Sequence, residues 1–298
     1  MAPKRPFSFK DLPGWLLYRL FVALLALLPL DAARGLLSGF FRFMGPLSGS
    51  SSRRINASLS VAFPDQDEAW YRERRQRTWA HLGASVAESI KSEAVQRQLD
   101  TRVELAVEPE HGDSLQDPRG QLILTSHLGA WEVAIQLAPR LGRPVMGVHR
   151  PLANRMIEAD LQRSRQKAGI EMVSIEDPNL MRRALKHLRA GGCVALFVDQ
   201  RWRDGEPLEL FGQPALCTLS PGMLALAGKA RVSLLYAQRL ADGRRHRISL
   251  EPLAHDAGAD DSWQDRGRAI MDAFNRRLET LVRVNPDDWY WLQERWKP

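Results

Sequence analysis

Short apolar runs alternate with amphipathic stretches from about residue 101 onward. The runs have the length of buried strands, and the stretches between them carry apolar residues at helical spacing. The predicted strands lie at 103–107, 121–125, 144–148, 171–175, 193–198, 232–238 and 246–250, and the predicted helices at 130–141, 154–168, 178–190, 219–229 and 263–284. This alternation predicts an α/β fold, with a mixed, largely parallel sheet flanked by helices. A hairpin turn at Ala241-Asp242-Gly243 predicts one antiparallel pair.

The region before this body has a different pattern. Residues 12–30 are nearly all apolar, interrupted by Arg19 and Pro29, which is about the length of a marginal membrane-spanning helix. Phenylalanines at 40, 41 and 43 are typical of a helix lying at a membrane interface. Basic residues flank both ends, so charge does not decide between a spanning and an interfacial helix, and a buried core helix is the alternative.

These patterns divide the chain into three parts. We predict an N-terminal membrane anchor or interfacial helix in 1–44, a turn-rich linker in 45–54 and one α/β domain in 55–298. Within that domain, Asp65 after Pro64 predicts the cap of a long helix that ends near residue 91.

Composition narrows the class of protein. The 298 residues carry a formal net charge of +7, and only seven of the 42 basic residues are lysine. Arginine suits phosphate recognition, although genomic base composition also enriches it. No nucleic-acid motif occurs, which leaves acidic lipid or an acidic carrier protein as partners. The sequence also lacks a serine-hydrolase elbow, a phosphate-binding loop, a dinucleotide fingerprint and zinc-ligand spacing, so neither a cofactor nor a metal is predicted.

The most specific chemical signal is His127, which follows the apolar run 121–125 and precedes small residues. A predicted strand-to-helix corner places this imidazole at a cleft. Glu132 lies five positions later, where the turning chain can bring its carboxylate back to the ring and fix the tautomer. The other ring nitrogen then accepts a proton from a hydroxyl, which is the requirement for acyl transfer. The same interval recurs within a predicted strand as His246 and Glu251, so spacing alone is a weak signal, and a packing histidine is the alternative.

Further polar residues are candidates for substrate binding. Asp199, Gln200 and Arg201 follow the strand 193–198, at the end where α/β sheets place their sites, although an aspartate there can simply cap a loop. A set of arginines is suited to phosphates or an acidic carrier: Arg150, Arg155, Arg163 and Arg165. For the last three, a solvated helix face paired with acidic neighbours is the alternative. The C-terminal tryptophans predict either a membrane-interface belt or a pin that fixes the C-terminus to the body.

Several motifs, in order along the chain, resemble the late acyltransferases of lipid A biosynthesis, the lauroyl/myristoyl transferase family of Gram-negative bacteria. The central motif is Ser126-His127-Leu128-Gly129-Ala130-Trp131-Glu132, and the others are 56–64, Arg150 to Asn154, Val198-Asp199-Gln200 with 210–218, and 286–291 with Arg295-Trp296.

The resemblance implies a glycerolipid-acyltransferase-like fold, with His127 as base and Glu132 as its orienting carboxylate. It implies an acyl-carrier-protein thioester as donor and a membrane glycolipid hydroxyl as acceptor, at the cytoplasmic face of a bacterial inner membrane, in contact with its lipid. Asn154 joins the candidate binding residues through its motif. An acceptor of another kind, such as an amino lipid or a different glycolipid, and an inactive lipid-binding scaffold remain alternatives.

Overall fold

The computed structural model of the chain describes residues 9–107 and 117–296. In these residues a seven-stranded sheet has the order β1-β9-β8-β2-β5-β3-β4. Its strands are β1 (Val103–Val107), β2 (Gln121–Thr125), β3 (Val145–His149), β4 (Ile170–Ser174), β5 (Cys193–Phe197), β8 (Arg231–Arg239) and β9 (His246–Pro252). Neighbouring strands run parallel except β8 and β9, which form the predicted antiparallel pair. The predicted α/β fold is therefore confirmed.

Helices cover both faces of the sheet, as a largely parallel sheet requires. Face A, which carries Ile123, packs against α7 (Trp131–Ile135) and the turn Ala138–Leu141, with α8 (Arg155–Lys167) beside β4. Face B, which carries Leu122 and Leu124, packs against three further helices. These are α9 (Leu180–Arg189), α10 (Ser220–Gly228) and α11 (Trp263–Val284).

A helical layer precedes the sheet. It comprises α1 (Leu12–Ala26), α2 (Leu30–Met44), α3 (Gly49–Ala62), α4 (Glu68–Ile90), α5 (Ser92–Arg97) and α6 (Leu99–Arg102). Helices α2 and α4 lie so close together that a Cβ at Gly83 of α4 would come within 2.3 Å of the Leu37 carbonyl oxygen of α2. Helix α1 contacts α8, where the Trp15 indole donates to Asp160 at 2.9 Å.

The outer surface of this layer is apolar. Large hydrophobic side chains are exposed on α1 and α2: Leu16, Leu17, Leu20, Phe21, Leu24, Leu36, Phe40 and Phe43. Among the residues that the structure describes, none of the helices combines the length and the apolarity that a membrane crossing needs.

Four local features differ from the sequence predictions. The cap of α4 is Asp67, whose side chain accepts from the Trp70 N–H at 2.7 Å, and not the predicted Asp65, because the chain is still in a turn at Asp65. The predicted linker 45–54 is a short turn, Gly45–Leu47, followed by the start of α3. The predicted helix 130–141 is broken after Ile135, and a 3-10 turn ends at Gly142 in the left-handed conformation.

The fourth difference is the hairpin β6 (Glu206–Leu210) and β7 (Gln213–Cys217), which the sequence did not predict. Its turn needs positive φ at Phe211 (54°) and Gly212 (69°). Phenylalanine is rarely a turn residue of this kind. Here its ring is buried against Trp289 and Trp296, and this packing offsets the backbone strain.

Candidate active site

His127 lies at a tight corner after β2. The following Gly129 has a φ of +61°, and a Cβ at this position would lie 1.6 Å from the Ala237 carbonyl oxygen. Only glycine fits here, so the small residue after the histidine has a steric cause. The corner is also held by the segment 288–290. The Gly129 N–H donates to the Asp288 carbonyl at 2.9 Å, and the Tyr290 N–H donates to the His127 carbonyl at 3.0 Å.

The imidazole of His127 is oriented by Asp199. Nδ1 of the ring lies 2.9 Å from Asp199 Oδ1, and the His127 backbone N–H donates to Oδ2 at 2.8 Å. The Asp199 Oδ2 atom also accepts from the Trp289 indole at 3.0 Å and from the Gln293 amide at 3.3 Å. Burial alone would raise the pKa of Asp199, but the His127 ring and these donors hold it below its usual value. A buried carboxylate anion therefore faces Nδ1 and fixes the proton on that nitrogen.

This geometry changes the role expected for Asp199. The sequence placed it among the substrate-binding residues, but its side chain is fully buried behind the histidine. The Asp199 carboxylate therefore contacts the His127 ring but is not accessible to a substrate. The signal that could have identified this role is the alignment of β2 and β5, since the two strands are parallel neighbours and His127 and Asp199 each follow their strand by two positions.

Glu132 does not make the expected contact with the ring. Among the described residues no hydrogen bond joins it to His127, and its carboxylate lies 3.9 Å from the Arg165 guanidinium. The physical reason is the corner: α7 begins at Trp131, so Glu132 is in its first turn and points towards α8. Glu132 and His127 nevertheless line the same cavity.

That cavity has a volume of about 590 Å³ and a mainly apolar wall. His127 lies in its lining with the ring packed between aromatic groups. The ring centroid is 4.4 Å from Phe197, 5.7 Å from Trp131 and 5.9 Å from Tyr290. A histidine in the wall of a mainly apolar cavity is suited to chemistry on the head of a hydrocarbon chain.

The predicted binding residues divide into two groups. Four of them line the cavity with His127 and Glu132: Arg150, Arg165, Gln200 and Arg201. Three do not belong to its lining: Asn154, Arg155 and Arg163.

The structure gives these three residues other contacts. The Asn154 amide oxygen caps α8 by accepting from Met156 N at 3.0 Å, and its Nδ2 donates to the Asp11 carbonyl at 2.9 Å. Arg163 is largely exposed and pairs with Asp160, the solvated-face alternative. Arg155 lies 3.9 Å from Glu176. Asn154 and Arg155 therefore join elements around the site, Arg163 pairs within α8, and none of the three belongs to the cavity lining.

The C-terminal tryptophans are interior residues. Trp289 and Trp291 are 1% and 0% exposed, and their rings pack at 4.7 Å. They do not form a membrane-interface belt. The alternative, a C-terminal pin, is what the structure shows, because this segment supplies Trp289 and Gln293 to Asp199 and main-chain groups to the His127 corner.

The second histidine–glutamate pair has no part in the cavity. His246 is buried beside Glu88, with Arg239 Nη1 and Arg34 Nη2 at 3.2 and 3.4 Å from its Nε2. Glu251 instead accepts from Arg277 at 2.6 Å. The packing alternative therefore holds for His246.

Two histidines near the site gave no sequence signal. His149 ends β3 and lines the cavity beside Glu158. His81, on α4, donates through Nε2 to the Gly129 carbonyl at 2.9 Å, while its Nδ1 lies 3.4 Å from Asp288 Oδ1. Burial lowers the pKa of His81 to about 3 and raises the pKa of Asp288 to about 6. Because a carbonyl only accepts, Nε2 carries the proton of the neutral ring, and Nδ1 presents its lone pair to the Asp288 carboxyl group.

Comparison with known proteins gives the family. No curated protein matches the chain. A matching solved structure is the 1-acyl-sn-glycerophosphate (LPA) acyltransferase PlsC from Thermotoga maritima, with 13% identity over 85% of this chain and 97% of that one and a TM-score of 0.37. The sequence model of the bacterial lipid A biosynthesis acyltransferases matches residues 3–298. With a match over nearly its whole length, this chain belongs to the bacterial lipid A biosynthesis acyltransferase family.

Proposed function

We propose that the protein transfers a fatty acyl chain from an acyl-carrier-protein thioester to a hydroxyl of a lipid A precursor, with His127 as general base. Family membership supports acyl transfer. The observation that carries the residue assignment is the position of His127, in the wall of a mainly apolar cavity with Nδ1 held by buried Asp199.

The proposed step begins with proton transfer. With Nδ1–H donated to Asp199, Nε2 keeps its lone pair and accepts the proton of the acceptor hydroxyl. The resulting alkoxide attacks the thioester carbonyl, the C–S bond breaks, and the imidazolium returns its proton to the leaving thiolate. Asp199 stabilises the imidazolium without taking its proton, because hydrogen bonds and charge keep the pKa of its carboxyl low.

Glu132 has a proposed role in the same step. Its carboxylate lines the cavity and lies opposite Arg165. A second negative charge in this apolar space favours the transient imidazolium of His127. Control of the ring tautomer belongs to Asp199 in this proposal, and Glu132 acts from the substrate side.

The cationic groups of the cavity suit an anionic substrate. Arg150, Arg165 and Arg201, together with Gln200, are proposed to hold the phosphate of the glycolipid head or the acidic surface of the carrier. The exposed apolar surface of α1 and α2 is proposed to lie in the interfacial layer of the inner membrane. The cytoplasmic face is proposed as the side of the cavity, because the proposed donor is an acyl-carrier protein.

Direct transfer tests the proposal. The purified full chain is incubated with labelled acyl-carrier-protein thioester and a lipid A precursor, and the lipid product is identified by mass spectrometry. We expect one added acyl chain, absent with folded His127→Ala. Acylation of a different amphiphile would replace the acceptor, and absence of product with every acceptor would leave only the scaffold alternative.

A further inference from the structure

The main chain at the His127 corner is held by bonds from three parts of the molecule. Asp199 accepts from the His127 N–H at 2.8 Å, and the segment 288–290 bonds the His127 carbonyl and the Gly129 N–H. The Gly129 carbonyl accepts from Nε2 of His81 at 2.9 Å. Because His81 belongs to α4, this is the one hydrogen bond, within the described part of the chain, that ties residues 127–129 to the helical layer.

The His81 ring also contacts the aromatic groups beside the base. Its centroid lies 5.6 Å from that of Trp131, and the Trp131 centroid lies 5.7 Å from that of His127. The indole therefore contacts both imidazoles. His81 reaches the base by two routes, through the Gly129 peptide and through the Trp131 ring.

The direction of the corner decides whether the base is correctly oriented. Asp199 accepts both from Nδ1 of His127 and from the backbone N–H of the same residue, at 2.9 and 2.8 Å. Both bonds form only in one orientation of the ring relative to its own main chain. Gly129, with a φ of +61°, has the conformational freedom of a glycine, so bonds at its N–H and at its carbonyl are needed to fix the turn. Without the bond at the carbonyl this peptide can rotate and move the His127 ring away from Asp199.

His81 itself is placed where no substrate reaches it. Its side chain is 8% exposed and does not belong to the cavity lining. Burial lowers the pKa of His81 to about 3, so the ring is neutral at the pH of ordinary assays. The single proton of the neutral ring lies on Nε2 and is donated to Gly129. His81 can therefore act on the reaction only through the corner that it holds.

We propose that His81 is a positioning residue for the base, because its bond to the Gly129 carbonyl and its contact with Trp131 hold the His127 ring on Asp199. This proposal rests on the proposed function and adds to it that α4, a helix of the helical layer, orients the base.

NMR of the imidazole nitrogens tests the contact without requiring acyl transfer. The full chain is labelled with ¹⁵N-histidine at a pH where the His127 ring is neutral, and His127→Gln identifies its signals among those of the seven histidines. We expect the Nδ1–H tautomer for His127 in the unchanged chain. In His81→Ala we expect a mixture of the two tautomers, because the corner is no longer fixed on Asp199.

Steady-state kinetics separate positioning from binding. His81→Ala should lower kcat about 10–100-fold, the effect of a misplaced catalytic group. The KM values for donor and acceptor should not change, because His81 lies outside the cavity lining. His81→Gln should recover most of the lost kcat, since its amide N–H can donate to the same carbonyl.

His187→Ala is the matched control. Nε2 of His187 donates to the Pro144 carbonyl, also at 2.9 Å, but this bond is remote from the corner. The control variant should keep both kcat and the His127 tautomer. An equal loss of kcat in His187→Ala would overturn the proposal.

Thermal melting confirms that the variants fold. If His81→Ala does not fold, His81→Phe replaces it, because phenylalanine keeps a ring beside Trp131 and lacks the donor; it should still lower kcat at least about tenfold. An unchanged kcat with an unchanged His127 tautomer in the folded variant, or a change in KM alone, would overturn the positioning role. A tautomer that depends on His81 in a chain that transfers no acyl group would instead contradict the proposed function and leave the contact standing.

Discussion

Asp199→Asn gives the strongest test of how the site works. Three donors converge on Oδ2 of Asp199, namely the His127 backbone N–H, the Trp289 indole and the Gln293 amide. The asparagine oxygen must take this place, because an NH₂ group there would face donors. Its NH₂ group then faces Nδ1 of the ring at the 2.9 Å position of Oδ1. The amide donates to Nδ1, and the proton of the ring moves to Nε2, the nitrogen that must stay free.

The expected loss of turnover is about 10²–10⁴-fold, the usual contribution of a general base. The loss of stability should be smaller. Hydrogen bonds to a charged group contribute about 1.5–3 kcal/mol and those to a neutral group about 0.5–1.5 kcal/mol, so we expect a total cost of about 1–3 kcal/mol. The pKa of Asp199 is lowered in the folded chain, so its carboxylate stabilises the fold above its ordinary pKa and loses this effect as the pH falls below it. The variant should lack that contribution.

The assay is transfer of a labelled acyl chain from the carrier protein, with urea unfolding as the measure of stability. Asp204→Asn is the matched control, since it makes the same change at an exposed position five residues later and should leave turnover unchanged. Near-normal turnover in folded Asp199→Asn would refute the tautomer argument. If Glu132→Gln abolished turnover while folded Asp199→Asn kept it, Glu132 and not Asp199 would be the orienting carboxylate.

Three further predictions follow from the same geometry. His127→Ala should cost about 10²–10⁴-fold in turnover, whereas His246→Ala should lower stability by about 1–3 kcal/mol and leave the turnover of folded protein unchanged; equal losses of turnover would contradict the site. Arg150→Lys should lower activity with little change in Tm, because it keeps the charge and loses the planar fork; a matching loss of Tm would make Arg150 structural. Between pH 4 and 6 the raised pKa of Asp288 and the lowered pKa of His81 have opposite effects on stability. Asp288→Asn should therefore make stability rise with pH and His81→Gln should make it fall, each by up to about 1.4 kcal/mol per pH unit in urea unfolding, and flat profiles in both variants would contradict the two pKa shifts.

The sequence predicts most of the sheet because its signals there are local. Each strand of the main sheet is a short apolar run, and the observed bounds differ from the predicted ones by two residues or fewer. The hairpin β6–β7 was missed because its turn depends on Phe211, whose strained φ is stabilised by tryptophans far along the chain.

The site was predictable only in part for a similar reason. His127 and its corner are encoded in seven consecutive residues, and four of the predicted binding residues line the cavity. The partner of the ring is 72 positions away, and its orientation comes from Trp289 and Gln293. The neighbouring sequence does not indicate which carboxylate is buried beside the imidazole. The pattern therefore favours Glu132, which is nearer in the sequence, for a contact that Asp199 makes.

The contacts between the segment 288–293 and the His127 corner set an order of events during synthesis. Trp289 leaves the ribosome roughly 160 residues after His127, which at roughly 5–20 residues per second is a delay of about 8–30 seconds. In the later part of this interval, after Asp199 has followed, the nascent chain has the histidine and the aspartate but lacks the indole, the amide and the main-chain bonds that hold them. We therefore expect that acyl transfer begins only after the segment has docked, and that activity reports completed folding rather than completed synthesis of the sheet.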